Sequence, residues 1–391
     1  MLAKRVKNIS ESITIAISTL AKELKAKGED VLIFSAGEPD FDTPKAIKDA
    51  VIQALEEKCK CSKYTPIPGT NDILEAIAYK LKKDNNLEYK TSQILTNVGA
   101  KHSLFNLFQV LLEEDDEVII PAPYWVSYTE IVKFCGAKPV IINTDEKNGF
   151  KLNANDLKKA ITNKTKLIIF NMPSNPTGAV YSKDEIASLG EVLKDTNIIV
   201  ASDEIYEKLT YEGDFTSVAS VSEDLFKRTI TINGLSKCGA MPGWRFGYMA
   251  SANEEIIKAC KKLQSQSTSN ISSLVQIGAI PALMGKTDED IKFMKNEFQK
   301  RRDLVYALFQ DVENLSLVKP NGAFYAFVNC KKIDEDSMRF CKKLLNEAKV
   351  AVVPGIGFGM DGYFRFSFAT DEKSIIEGIK RISNFVKNYQ I

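Results

Sequence analysis

The chain has 391 residues, with 52 lysines and arginines against 51 aspartates and glutamates, and 44% of its residues are apolar. This length predicts two or three domains, or one large α/β domain with a smaller companion. A formal net charge of +1 provides no basic field for a polyanion, so nucleic acid is not expected as a partner. No apolar stretch approaches the roughly 18 residues of a membrane span, so a membrane is not expected either.

The single histidine, His102, excludes several classes of site. His-rich zinc sites, Ser-His-Asp triads and Cys-His dyads each need a placed imidazole, and one histidine cannot serve them all. No metal site is therefore predicted. The seven cysteines are odd in number and include no C-x-x-C pair, which predicts reduced thiols and a cytoplasmic protein.

Short apolar runs alternate with segments of helical period after a polar amphipathic opening that extends to about Gly28. The runs are β-branched and nearly continuous, as expected for strands buried on both faces. Strands are predicted at 118–120, 139–142, 167–170, 198–201 and 229–232. Helices are predicted at 71–84, 101–112 and 183–194. This alternation predicts a mostly parallel sheet covered by helices.

The pattern changes near Thr287. A charged helical segment at 288–310 precedes apolar alternation at 323–328, 350–353 and 363–368. The predicted fold is of the α/β class: a large domain with a mostly parallel sheet covered by helices, and a smaller α+β domain built from the N-terminal and C-terminal segments. The predicted boundaries are 1–45 for the N-terminal arm and part of the small domain, 46–285 for the large domain, and 286–391 for the small C-terminal domain.

Two glycine-rich matches to nucleotide-binding motifs are rejected. Gly357, Gly359 and Gly362 fit G-x-G-x-x-G, but a strand is predicted after them where a dinucleotide site needs a helix. The run from Gly285 to Thr287 ends like a phosphate-binding loop. Ile280, however, occupies the position of that motif's first glycine.

Polar residues follow three of the predicted strands directly, at the edge where open α/β sheets bind ligands. They are Asn175 in the Pro- and Gly-rich loop 171–178, Asp203 and Tyr206 after the strand at 198–201, and Lys237 after the strand at 229–232. Taken singly, Asn175 could be a turn former, Asp203 a helix cap and Lys237 a solvated lysine. Together they supply hydrogen-bond donors, a carboxylate and an amine, which are the groups that pyridoxal phosphate chemistry requires.

Four segments carry a resemblance to a known family. They are Ser35 to Phe41, Asn171 to Gly178, Ser202 to Tyr206, and Ser236 with Lys237 followed by Pro242 to Gly247. With these motifs in this order, the chain resembles the class I aminotransferases of fold-type I over nearly its whole length. The resemblance implies that pyridoxal 5′-phosphate is the cofactor and that the large domain binds it.

The resemblance implies three catalytic residues. Lys237 would bind the cofactor covalently and then move a proton between the substrate α-carbon and the cofactor. Asp203 would keep the pyridine nitrogen protonated. Tyr206, together with Asn175, would donate hydrogen bonds to the ring oxygen.

The resemblance also implies the remaining cofactor contacts. The phosphate would lie against Gly99, Ala100 and Lys101 at a helix N-terminus, where unpaired N–H groups favour an anion. The other implied contacts are Arg245 as counter-charge, Trp125 stacked on the ring, and Tyr64 reaching the phosphate from a neighbouring subunit. A homodimer is therefore implied. Many members carry a phosphate-binding serine where this chain has Gly234.

Substrate contacts follow from the same resemblance. Arg365 would bind the substrate α-carboxylate as a bidentate partner, with Gly37 close to it. Lys101 matches a lysine that binds the distal carboxylate in the bacterial and archaeal branch of aspartate aminotransferases. The further substrate-side residues implied are Thr14, Trp125 and Asn175.

The implied reaction is transfer of the amino group from L-aspartate to 2-oxoglutarate, which gives oxaloacetate and L-glutamate in a ping-pong cycle through pyridoxamine phosphate. The partners are thus small amino acids and 2-oxo acids. A second hypothesis is an aminotransferase for alanine, an aromatic amino acid or prephenate. Relatives that accept prephenate carry a lysine where this chain has Ser10, which disfavours that substrate. Two further hypotheses are a pyridoxal phosphate β-lyase on the same scaffold and a non-catalytic protein that uses the fold to sense the cofactor or bind a partner.

Overall fold

Three sheets organise the chain, which the computed structural model describes over residues 2–57 and 61–390. The strands are β1 (Leu32–Ile33), β2 (Ile94–Val98), β3 (Glu117–Ala122), β4 (Lys138–Asn143), β5 (Thr165–Asn171), β6 (Ile199–Asp203), β7 (Thr229–Gly234), β8 (Phe246–Ser251), β9 (Ser316–Leu317), β10 (Tyr325–Asn329), β11 (Val350–Ala351), β12 (Val353–Pro354) and β13 (Tyr363–Ser367). The helices are α1 (Lys4–Lys7), α2 (Ile13–Ala26), α3 (Lys45–Glu56), α4 (Asn71–Asn85), α5 (Ala100–Leu111), α6 (Ser127–Phe134), α7 (Ala154–Ala160), α8 (Lys183–Leu193), α9 (Glu223–Arg228), α10 (Glu254–Ser265), α11 (Ser273–Leu283), α12 (Asp288–Gln310), α13 (Ser337–Ala348) and α14 (Glu372–Lys387).

The large sheet has seven strands in the order β2-β8-β7-β6-β5-β3-β4. Only β8 runs antiparallel to its neighbours, so the predicted mostly parallel sheet is confirmed. Neither β2 nor β8 was among the predicted strands. The register between these two strands places Asn171, the last residue of β5, opposite Asp203, the last residue of β6. The carboxyl ends of neighbouring strands therefore meet at one edge.

Both faces of this sheet are buried, as the continuous apolar runs predict. Along β5, Leu167 and Ile169 pack into a cluster that includes apolar residues of α5. The alternate residues, Ile168 and Phe170, pack into a second cluster with apolar residues of α8. Because successive side chains of a strand point to opposite faces, one run of apolar residues supplies both layers. The helix layers hold the sheet, and with it the strand ends, in place.

The smaller part of the fold joins both ends of the chain. The antiparallel strands β12-β13-β10-β9 form one sheet, and Leu32 in β1 pairs in parallel with Val350 in β11. The charged segment at 288–310 forms the continuous helix α12, as predicted. The predicted fold class is thereby confirmed, whereas the domain boundaries 1–45, 46–285 and 286–391 stay predictions.

A buried ion pair anchors the turn after β6. The Lys80 ammonium on α4 contacts the carboxylate of Glu207, and Asn85 bridges the two, accepting from Lys80 at 2.7 Å and donating to Glu207 at 2.7 Å. Both charged side chains are buried, at 8% and 4% exposure. Buried charges persist when they are paired and hydrogen-bonded in this way. The pair fixes the residue that precedes Glu207, which is Tyr206, against the rest of the fold.

The first glycine-rich match, from Gly357 to Gly362, is not followed by the helix that a dinucleotide site needs. The rejection of the match at 285–287 stays a prediction. Residues 355–358 form a single 3₁₀ turn, and strand β13 begins at Tyr363, directly after the glycines. A strand, rather than the helix whose N-terminus would bind a phosphate, therefore follows these glycines. Gly359 has a positive φ of 77°, and a Cβ there would lie 2.4 Å from the ring of Tyr124. The loop therefore serves close packing against a neighbouring segment.

The prediction of seven reduced thiols is wrong for Cys61, which is disulfide-bonded. An odd total leaves room for bonded pairs, so the cysteine count did not determine the state of each thiol. Cys59 lies outside the described residues. Five others are free: Cys135, Cys238, Cys260, Cys330 and Cys341. No helix in ranges 2–57 and 61–390 is long and apolar enough to cross a membrane. The cytoplasmic location stays a prediction.

Candidate active site

A cavity of about 330 Å³ lies at the carboxyl edge of the large sheet. Eleven of the predicted site residues line it: Thr14, Gly37, Ala100, Lys101, Trp125, Asn175, Asp203, Tyr206, Lys237, Arg245 and Arg365. They come from α2, the segment after β1, the start of α5, the loop between β3 and α6, the carboxyl ends of β5, β6 and β7 with the segments after them, the residue before β8, and β13. Residues that are far apart in sequence therefore converge on one cavity.

Lys237 lies half-buried beyond the end of β7, and its ammonium donates a hydrogen bond to the backbone carbonyl of Gly37. Burial, followed by the positive charge of Arg365, lowers the pKa of this amine to about 8, with Arg245 adding to the effect and Glu38 opposing it. Amines of surface lysines carry a proton at this pH. Lys237 therefore has an appreciable neutral fraction near pH 8, as a nucleophile or base requires.

Asp203 is the buried carboxylate of the site. Burial raises its pKa to about 6, although a hydrogen bond from the Tyr128 hydroxyl and one from the backbone N–H of Ile205 favour the ionised form. The Tyr128 oxygen lies 2.8 Å from Oδ2 of Asp203. Sequence reasoning missed Tyr128, whose only signal is its position three residues after Trp125, within the first turn of α6. The hydroxyl favours the anion at the point where burial opposes it.

Asn175 links two strand ends to the buried arginine. Its Oδ1 accepts from Nη1 of Arg365 at 2.9 Å, and its backbone N–H donates to Oδ1 of Asn171 at 2.8 Å. Asn171 in turn donates to the backbone carbonyl of Asp203 at 3.1 Å. Because its oxygen is engaged with Arg365, Asn175 presents Nδ2 as a donor.

Arg365 is 2% exposed, in the middle of β13. Its guanidinium donates to Asn175 and, at 2.8 Å, to the backbone carbonyl of Ser35. Nε has no hydrogen-bond partner within the described part of the chain, and no carboxylate there forms an ion pair with it. Burial lowers the pKa of Arg365. An unpaired buried cation is costly, so this position favours an anionic ligand.

The start of α5 forms an anion site with Arg245. Gly99, with φ of 83°, precedes the helix, and a Cβ there would lie 2.5 Å from Nη2 of Arg245. A Cβ on Gly247 would lie 2.4 Å from the backbone nitrogen of Ala100. The glycines thus permit β8 and Arg245 to approach the helix N-terminus, whose unpaired N–H groups favour an anion. Gly99 does not line the cavity itself but adjoins Ala100, which does.

Lys101 and Trp125 line the cavity next to each other. The Lys101 ammonium lies 4.8 Å from the centroid of the Trp125 ring. Desolvation at the cavity wall, followed by the charge of Arg245, lowers the pKa of Lys101. Thr14 and Ser12 also line the cavity. A second carboxylate would therefore meet a cation, an indole face and hydroxyl groups.

Two residues discussed for the phosphate site, Tyr64 and Gly234, do not line the cavity. Tyr64 is 92% exposed and does not line the cavity, so its role stays a prediction. Gly234 packs tightly: a Cβ there would lie 2.6 Å from the carbonyl oxygen of Phe246. A serine does not fit this backbone without movement. Ser236, which sequence reasoning did not assign, is buried beside Lys237 and lines the cavity.

The raised pKa of Asp203 predicts a pH-dependent stability cost. The unfolded chain ionises this group near pH 3.8 and the folded chain near 6, so the cost develops between those values and reaches about 3 kcal/mol above pH 7. We expect Asp203→Asn to unfold at a higher temperature than the wild type at pH 7.5, with the difference shrinking as the pH falls towards 4. Thermal unfolding of cofactor-free protein across this range measures it.

The exposed Asp214 supplies the control, and Asp214→Asn should follow the wild-type profile. A constant difference between Asp203→Asn and wild type at every pH would contradict the raised pKa.

Known proteins match the chain along its length. A family model described as "Aminotransferase class I and II" matches residues 29–382. The aspartate aminotransferase of Bacillus subtilis (strain 168) is 49% identical over 394 residues, covering 99% of this chain and 99% of that protein. The probable aspartate/prephenate aminotransferase of Aquifex aeolicus (strain VF5) is 44% identical over 387 residues, covering 97% of each.

A solved structure shares the fold as well. Aspartate aminotransferase from Thermus thermophilus with maleate matches at a TM-score of 0.94 and 38% identity, covering 98% of this chain and 99% of that one. Motifs, fold and relatives thus agree over the same residues, and the resemblance drawn from the motifs is confirmed. The chain belongs to the class I and II aminotransferases.

Proposed function

We propose that this chain is a pyridoxal phosphate-dependent aminotransferase that transfers the amino group of L-aspartate to 2-oxoglutarate. One observation carries the proposal: Lys237, Asp203 and Arg365 meet in a single cavity as an amine with a lowered pKa, a buried carboxylate and a buried guanidinium without a carboxylate partner among the described residues. A solvated lysine, a helix cap and a surface arginine would have none of these properties.

The cavity fits the cofactor by its donor set. When bound, pyridoxal 5′-phosphate supplies an electron-withdrawing ring that stabilises negative charge at the substrate α-carbon. Asp203 would face the pyridine nitrogen, because a buried carboxylate held by Tyr128 favours a cationic partner. Asn175 and Tyr206 would donate to the ring oxygen. The remaining contacts would be Trp125 on the ring face, and Gly99, Ala100, Lys101 and Arg245 around the phosphate.

Lys237 would act as the base at the substrate α-carbon. The carbonyl of Gly37 holds its nitrogen. Burial, followed by the charges of Arg365 and Arg245, lowers the pKa of the amine to about 8, so that a neutral fraction forms at physiological pH. A proton taken from the α-carbon is held on Nζ and is then released again within the same cavity. No histidine is required for this transfer.

Two cations would select a dicarboxylic amino acid. Arg365 would bind the α-carboxylate beside Gly37, where a Cβ would crowd the Tyr325 hydroxyl at 3.3 Å. Lys101 would bind the distal carboxylate across the cavity. Relatives named aspartate aminotransferase, and a solved relative with the dicarboxylate maleate, support this choice.

Removal of the Lys101 charge should separate aspartate from uncharged donors. A charge-assisted hydrogen bond contributes about 1.5–3 kcal/mol, so Lys101→Ala should lose roughly 10- to 100-fold in kcat/KM for aspartate. The value for alanine should change by less than about 3-fold. The half-reaction is followed by the absorbance change of the protein–cofactor complex, with alanine, phenylalanine and prephenate assayed beside aspartate.

Lys258→Ala, on α10 away from the cavity, is the matched control and should behave as wild type. A fast half-reaction of the wild type with alanine or phenylalanine, and none with aspartate, would contradict the assignment of aspartate as the substrate. Release of pyruvate from cystathionine would instead indicate a β-lyase.

We also propose a homodimer in which Tyr64 contributes to the partner's phosphate site. Tyr64 is 92% exposed, and the nearby helix α3 exposes Ile52 and Leu55 at 52% and 60%. Apolar and aromatic side chains that are exposed together are typical of an interface.

Tyr64→Phe should remain dimeric but bind pyridoxal phosphate about 10-fold more weakly, because one hydrogen bond to a phosphate is lost. Sedimentation gives the oligomeric state, and equilibrium dialysis gives the cofactor affinity. Tyr79→Phe, at a tyrosine that is 45% exposed on α4, is the control. A wild-type monomer with full activity would rule the proposal out.

A further inference from the structure

Tyr325 lies between two groups of the proposed mechanism and has no role in it. It is the first residue of β10 and 1% exposed. Its hydroxyl lies 2.8 Å from the hydroxyl of Tyr206, and the guanidinium of Arg365 lies 4.3 Å from the centre of its ring. Tyr325 thus contacts the proposed donor to the ring oxygen on one side and the proposed carboxylate ligand on the other.

At this distance only one of the two hydroxyl protons can lie between the two oxygen atoms, so one tyrosine donates and the other accepts. If Tyr206 donates its own proton to the cofactor's ring oxygen, its oxygen is left to accept, so Tyr325 must be the donor of the pair. A hydroxyl that accepts a hydrogen bond becomes a stronger donor, since successive hydrogen bonds polarise one another. Tyr325 would then strengthen the bond from Tyr206 to the ring oxygen.

The surroundings hold this arrangement in place. Tyr206 lies on the turn anchored by the buried Lys80–Glu207 pair. The Tyr325 ring packs against Phe324 at 4.7 Å and edge-on against Tyr206 at 5.8 Å. Arg365 sits over the ring face. Burial raises the pKa of the Tyr325 hydroxyl, and the charge of Arg365 opposes that rise. The cation that would receive the substrate carboxylate therefore also polarises the hydroxyl next to Tyr206.

We propose that Tyr325 is a positioning residue that donates to Tyr206 and thereby strengthens the hydrogen bond that Tyr206 makes to the cofactor's ring oxygen. This inference rests on the proposed function. Under this proposal, Arg365, Tyr325 and Tyr206 form a chain of side-chain contacts that connects the carboxylate site with the cofactor ring.

Tyr325→Phe tests the proposal because it removes the hydroxyl and leaves the ring beneath Arg365. The measured quantity is the pH midpoint of the visible absorbance change of the protein loaded with pyridoxal phosphate. Charged groups that face Lys237 and shape this titration in every variant are Arg365, Glu38, Arg245 and Asp203. A weaker donor at the ring oxygen disfavours the deprotonated form, so the midpoint should rise by roughly half a pH unit.

A double-mutant cycle separates this role from simple packing. In a Tyr206→Phe background, Tyr325→Phe should produce no further shift, because the residue through which it acts is absent. Equal shifts in both backgrounds, or no shift in either, would overturn the inference. The thermal midpoint of the cofactor-free variants verifies that each is folded.

Tyr89→Phe is the matched control, since Tyr89 is a buried tyrosine that does not line the cavity. It should leave the midpoint unchanged. A wild-type protein without any titrating visible absorbance would overturn the proposed function itself. A normal wild-type titration that Tyr325→Phe does not shift would overturn only the role of Tyr325.

Discussion

The guanidinium of Arg365 is almost completely withdrawn from water, and the residues described offer it amide and carbonyl oxygens but no carboxylate. Desolvation of an ion without its counter-ion is unfavourable, and the surrounding fold must provide the stability that tolerates it. Several properties of the cavity depend on this one charge. It adds to the effect of burial in lowering the pKa of Lys237, lies over the Tyr325 ring and favours a carboxylate ligand. A substrate that supplies the anion would relieve the cost.

Such a charge can be held only by a rigid frame. The parallel strands β5, β6 and β7 end at one edge, and hydrogen bonds connect Asn171, Asn175 and the carbonyl of Asp203 there. The Lys80–Glu207 pair ties the next turn to α4. Asp203 itself is destabilising above pH 6, because its carboxylate is buried. The charged carboxylate that the chemistry needs therefore lowers the stability of the fold. The two apolar layers that cover the sheet offset this loss.

The sequence predicted much of this site because its signals are local. Asn175, Asp203 and Lys237 each follow a β-branched run, and a parallel sheet brings such strand ends together without further information. The strands predicted at 167–170 and 198–201 correspond to β5 and β6, with ends that differ by a few residues. Strand β8 was missed, since its glycine- and aromatic-containing sequence lacks the continuous β-branched pattern of its neighbours.

The missed residues depend on contacts between distant elements. Tyr128 meets Asp203 across 75 positions, and Tyr325 meets Tyr206 across 119, and neither spacing has a local pattern. In sequence both are typical of ordinary core tyrosines, and only the fold places a partner opposite each hydroxyl. The substitution of glycine for a phosphate-binding serine at Gly234 likewise became intelligible only from the carbonyl of Phe246 that faces it.

The central claim is that Lys237, among 52 lysines and arginines, is the residue that binds the cofactor covalently. Borohydride reduction of the protein loaded with pyridoxal 5′-phosphate, followed by peptide mapping, tests it directly. We expect one reduced pyridoxyl group per chain, on the peptide that contains Lys237, because this amine is the one that burial and Arg365 keep partly neutral inside the cavity. Labelling at Lys101 or at surface lysines in place of Lys237 would contradict the account.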